Sequence, residues 1–105
     1  MERRSKIKNM HHSRTILLRE AIGETIRDLR VRSNRTLREV SADAQVSLGY
    51  LSEIERGQKE ASSEVLSWIA EALGVSVGRL TSEVADRLIA YESDAVVSLH
   101  QRLAA

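Results

Sequence analysis

Apolar residues recur at intervals of three and four along most of this chain, and alternation of period two is almost absent. That rhythm predicts helices throughout. Leu18, Ile22, Ile26 and Leu29 form one stripe, with Leu17 and Val31 beside it, which predicts a first helix from about Ile16 to Ser33. Arg19, Arg27, Arg30, Arg32 and Arg35 fall mostly off the stripe, and Asn34 is a left-handed stop. Thr36-Leu37-Arg38-Glu39 has the Thr-x-x-Glu spacing of a capping box, opening a second helix over 36–44. Ser47 is an N-cap for a third helix over 47–56, and Gly57 closes it as a left-handed C-cap. Leu37, Val40, Ala44, Val46, Leu51 and Ile54 give each of these short helices one inward stripe. The connection between them is too short for anything but an angled pair. That is the helix-turn-helix, whose second helix fits the major groove of DNA.

A loop over 57–61 leads to Ser62, which caps a fourth helix with Val65, Leu66, Ile69, Ala70 and Leu73 facing inward and Gly74 at its end. Trp68 is either core or a half-exposed edge of that helix, a packing residue in preference to a ligand contact. Ser76 caps the last helix, which has nothing to interrupt it from about Val77 to Leu103. Leu80, Val84, Leu88, Tyr91 and Ala95 make one seam along it; Ile89, Val96 and Leu103 make a second, with Leu99 beside it. Two seams fit a helix folded back onto its own bundle, or one that meets the domain on one side and a twin on the other. The second reading predicts a homodimer interface of Val84, Leu88, Ile89, Tyr91, Ala95, Val96 and Leu99. The domains expected are a basic disordered tail over 1–15, a DNA-binding domain over 16–81, and a dimerisation helix and tail over 82–105.

Composition sharpens this. The chain has 105 residues, 42% of them hydrophobic, with three aromatics, no proline and no cysteine. One small domain with an aliphatic core is expected. Disulfides and thiolate metal sites are excluded, which fits a cytoplasmic protein. No apolar run approaches the roughly 20 residues of a membrane span. The net charge is +1, but residues 1–15 carry five basic groups and one acid, and residues 16–35 five basic groups and three acids. A basic N-terminal half suits an anionic partner approached from one side, or a solvated tail that aids solubility. The histidines stand at 11, 12 and 100; the adjacent pair in a polar tail reads as no metal site. With no glycine-rich phosphate loop and no ligand cluster, neither an enzyme nor a cofactor is expected.

The run SLGYLSEIERG, followed by a serine-initiated helix ending ALGVS, resembles the xenobiotic-response-element (XRE) family of helix-turn-helix regulators over roughly 20–81. TLREVS, VSLGYLSEIERG and KEASSEVL resemble more narrowly its Clp-protease gene regulators, the ClgR group. The resemblance implies an all-α fold, a five-helix repressor-like domain, here with an extended C-terminal dimerisation helix. It implies a DNA-binding regulator, an activator of Clp protease and chaperone genes, acting as a homodimer on a palindromic operator. It also implies that Arg30 and Glu55 form a partly buried ion pair fixing the third helix. Three positions depart from the pattern. Gln45 stands where glycine is usual, at a cost of up to about 1 kcal/mol if the turn needs positive φ. Ser41 replaces alanine at the closest helix crossing, and Ala61 replaces proline.

With Leu51 and Ile54 inward, Leu48, Gly49, Tyr50, Ser52 and Glu53 are the candidate base-contacting residues. Leu48 suits a thymine methyl, Gly49 permits close approach, and Glu53 suits a cytosine amine or repels phosphate. Tyr50 and Ser52 suit a phosphate, a sugar or a base, with Tyr50 alternatively packing on the second helix. Arg38, Ser47, Arg56, Gln58, Lys59 and Ser62 are the candidate backbone anchors. Glu39 and Asp43 offer an acidic surface for RNA polymerase, and the terminal Leu103-Ala104-Ala105 resembles a Clp protease recognition tail. The rival reading is a protein-interaction module on the same fold, an antitoxin or coactivator-type adaptor.

Overall fold

A computed structural model describes residues 16–104, apart from the side chains of 95–99. The chain forms five described helices: α1 Leu18–Arg32, α2 Leu37–Ala44, α3 Leu48–Glu55, α4 Ser63–Ala72 and α5 Val77–Ala104. Residues 1–15, with His11 and His12, and residue 105 lie outside the described residues.

The helix boundaries follow local chemistry. Glu39 N donates to Thr36 Oγ1 at 3.0 Å, and Thr36 N donates back to Glu39 Oε1 at 2.8 Å, completing the capping box. The backbone N–H of Thr36 foremost, and then its side chain, hold the Glu39 carboxyl below its ordinary pKa. Ser47, Ser62 and Ser76 each accept a backbone N–H three residues on, from Tyr50, Val65 and Arg79. Asn34 ends the turn after α1 at φ 58°, and Gln45 adopts φ 57° after α2, the left-handed conformation expected of it. Ser41 does more than fit its crossing: its Oγ donates to Val46 O at 2.5 Å and ties α2 to the turn. After α3, Gly57 sits at φ 72° while Gln58 N donates to Glu53 O and Gly57 N to Ile54 O, satisfying carbonyls at the helix end.

The core is aliphatic: Ala21, Ile26, Leu29, Val40, Ala44, Leu51, Ile54, Ile69, Ala70, Leu73, Leu80 and Val84. Each larger member contributes about 1.5–3 kcal/mol of burial. The inward face of α1 differs from the expected stripe. Leu18 is 57% exposed, and the buried positions are Ala21, Gly23, Thr25, Ile26 and Leu29. The reason is that α1 packs against both α3 and α5, so its inward arc is wider and turned toward small residues. Trp68 is a half-exposed edge of α4, at 47%.

The two seams of helix α5 have different surroundings. Val84 is buried in the chain's own core, with Leu80, and Leu88 packs against that core. Tyr91 donates its hydroxyl to Glu24 of α1 at 3.1 Å. The first seam therefore serves the fold, because α5 runs antiparallel to α1 and needs an apolar face there. Ile89, on the second seam, is 58% exposed. The side chains of Ala95, Val96 and Leu99 fall outside the described residues.

Candidate nucleic-acid interface

Helix α3 is amphipathic across its short length. Leu51, Ile54 and Glu55 are buried, while Leu48, Gly49, Ser52, Glu53 and Arg56 share the outer side. Gly49 is exposed, and a Cβ placed there would meet nothing within 4 Å. This strip has no bulk at its leading turn, so backbone can approach a surface closely.

Tyr50 departs from the base-contact expectation. It is half-buried against the core, and its hydroxyl donates to Glu60 O at 2.9 Å. The ring braces the loop after α3 and its donor is already used. Ser52 accepts from Arg56 Nη1 at 2.6 Å, and Arg56 Nη2 reaches Gln58 Oε1 at 3.4 Å. These three side chains form one polar group at the end of α3. Arg38 and Lys59 are exposed and enter no ion pair with the described residues. Ser47 and Ser62 cap helices through their lone pairs, which leaves each O–H free to donate to a phosphate oxygen.

The back of α3 is fixed to α1 at three points. Arg30 Nε donates to Glu55 Oε2 at 2.7 Å and Nη2 to Glu55 Oε1 at 3.0 Å, a two-pronged pair with side chains only 14% and 6% exposed. Donating to the Glu55 carboxylate raises the Arg30 pKa against the opposing effect of burial. Arg30 Nη1 also donates to Arg35 O at 2.9 Å. Arg19 Nε donates to Gly57 O at 3.1 Å. Between them lies Gly23, where an added Cβ would stand 2.2 Å from Ile54 O and 2.7 Å from Glu55 O. The recognition helix thus rests backbone to backbone on α1.

Sequence reasoning missed Gly23, Arg19 and Arg27. A glycine inside a helical pattern is itself a signal of close approach. Arg19 was legible only as one of several off-stripe arginines. Arg27 is exposed and lines an open cleft of about 870 Å³ with Ser52 and Arg56. It adds a cation flanking α3 that no motif marked. Glu39 and Asp43 both lie exposed on α2, where Glu39 completes the cap and Asp43 pairs with Arg35.

Residues 26–80 match the helix-turn-helix (HTH_3) family model. The chain belongs to this family of XRE-type helix-turn-helix proteins, and it is a DNA-binding transcriptional regulator. It is 50% identical over 76 residues to the transcriptional regulator ClgR of Mycobacterium tuberculosis H37Rv, across 72% of this chain and 68% of that protein. The crystal structure of the clp gene regulator ClgR from Corynebacterium glutamicum superposes with a TM-score of 0.78 at 39% identity, over 85% of this chain and 95% of that one. The restriction-modification controller protein C.Esp1396I, solved as a tetramer on its 35-base-pair operator, shares the fold at a TM-score of 0.67 and 19% identity. No helix among the described residues is long and apolar enough to cross a membrane.

Proposed function

We propose that this protein acts in the cytoplasm as a homodimer on a palindromic operator, that its targets are Clp protease and chaperone genes, and that it activates them. The observation that carries the reading is the outward strip of α3, held on α1 by the Arg30–Glu55 pair, in a chain 50% identical to a ClgR regulator over 76 residues. In this reading Leu48, Gly49, Ser52 and Glu53 face base edges, with direct readout by Leu48 and Glu53. Arg38, Arg56, Gln58, Lys59 and the hydroxyls of Ser47 and Ser62 take the flanking phosphates, and Arg27 joins them. Lysine and arginine contacts each add about one unit to the salt slope. The dimer forms through the second seam of α5, where Ile89, Val96 and Leu103 recur every seventh residue. Glu39 and Asp43, both exposed on α2, offer RNA polymerase an acidic contact.

The test is a salt-dependent gel shift on a palindromic clp-promoter operator and on scrambled DNA. At moderate salt the palindrome is expected to bind at least about 10³-fold more tightly. Equal affinities would instead favour the protein-interaction module. Replacing Ile89 with Asp is expected to yield a folded monomer by analytical ultracentrifugation, with the palindrome preference lost.

A further inference from the structure

Among the described residues, helix α5 joins the apolar core near its start. Leu80 and Val84 are buried and Leu88 is partly so. Beyond them α5 runs on to Ala104, about 20 Å past Tyr91 at helical rise. What aims that arm is polar. Arg87 donates through Nε to Thr25 Oγ1 at 3.2 Å, through Nη1 to Glu24 Oε1 at 3.3 Å and through Nη2 to Asp28 Oδ2 at 3.4 Å. All three acceptors lie on α1, spread over one helical turn. Thr25 is fully buried, and its own hydroxyl is committed to Ala21 O at 2.8 Å, so the lone pairs it offers Arg87 have a fixed direction. Tyr91 bonds to the same Glu24. The other bridge between the two helices, Arg32 to Glu83 at 2.8 Å, sits at the anchored end, where its leverage on the arm is small.

We propose that Arg87 is a positioning residue that sets the angle between α5 and the DNA-reading body, and so the half-site spacing the dimer accepts. This rests on the reading of α5 as the dimerisation helix. A planar guanidinium held by three groups resists rotation in a way that one point charge does not. The geometry amplifies the effect. Recognition helices of such a dimer stand roughly 34 Å apart, so a tilt of about 10° at Arg87 carries the partner's α3 by about 6 Å, close to two base-pair steps.

The experiment measures affinity for two operators with identical half-sites, one at the preferred spacing and one with two base pairs inserted. The phosphate contacts are the same on both, so their ratio cancels most of the salt-dependent part of binding. Wild type is expected to discriminate by about 30-fold or more, each misplaced half-site losing its specific contacts. Arg87→Gln is expected to bring the ratio within about threefold while remaining a folded dimer, because the fork is only part-buried and its pairs at 3.3–3.4 Å contribute little stability. Arg32→Gln, the control at the anchored end, is expected to keep the wild-type ratio. A wild-type ratio in Arg87→Gln, or equal relaxation in Arg32→Gln, overturns the role of Arg87 and leaves the dimer reading intact. A wild-type protein that is monomeric or indifferent to spacing overturns the dimer reading as well.

Discussion

Helix α1 makes two attachments of opposite character. Toward α3 it offers a glycine to bare carbonyls, a nearly buried guanidinium–carboxylate fork, and the Arg19 donor on Gly57 O. Toward α5 it offers a ladder of pairs, Arg32–Glu83 at the anchored end and Arg87–Glu24 and Arg87–Asp28 further out, each with side chains a quarter to a half exposed. Backbone contact is not screened by salt, and the burial of the Arg30–Glu55 pair protects it from screening. Exposed pairs are worth about 0–1 kcal/mol each and weaken with ionic strength. One helix therefore holds the recognition element through strong buried contacts and the dimer arm through weak but directional ones. Stability is concentrated at the first contact, and geometry that can be tuned at little energetic cost lies at the second.

That contrast breaks first at Gly23. Gly23→Val is expected to cost about 4 kcal/mol or more, or to prevent folding, because the obstructing atoms are backbone and cannot swing aside. Urea denaturation or the soluble yield reads the outcome. Glu55→Ala strands the Arg30 charge and is expected to cost about 3 kcal/mol in the same assay. At the weak attachment, Arg32→Gln is expected to change stability by less than about 1 kcal/mol, the difference shrinking further in 0.5 M salt. The smallest effect is at Glu39. Its carboxyl titrates below the ordinary range in the folded chain, so its contribution is full above the unfolded pKa and fades as pH falls through the lower folded value. Glu39→Gln is expected to flatten the acid limb of a stability-versus-pH curve by lowering the neutral region slightly, with the acid end unchanged.

The two regions also differ in how far they could be read in advance. The α2–α3 unit was legible because its determinants are local: Thr36 and Glu39 close one cap, Ser47 another, and Gln45 takes the positive φ that the turn demands. The Arg30–Glu55 pair came from family resemblance, and the coordinates place it as a two-pronged bond. What escaped depends on chain distant in sequence. Gly23 is explained by carbonyls of residues 54 and 55, and Leu18 is exposed because α1 turns between two neighbours. The seam containing Val84 was equally compatible with a twin or with α1 until α5 was seen to fold back along α1. Tyr50 had the pattern of an outward residue, and only the return of the chain at Glu60 gave its hydroxyl a partner.

The most direct measurement is hydroxyl-radical footprinting of the purified protein on a clp promoter fragment. The expected result is a two-fold symmetric pattern of protected backbone, with centres roughly 10 base pairs or a multiple of that apart, which disappears when Ile89→Asp is used at the same concentration. A single unsymmetric window, or protection that ignores sequence, would contradict a paired α3 as the reading element.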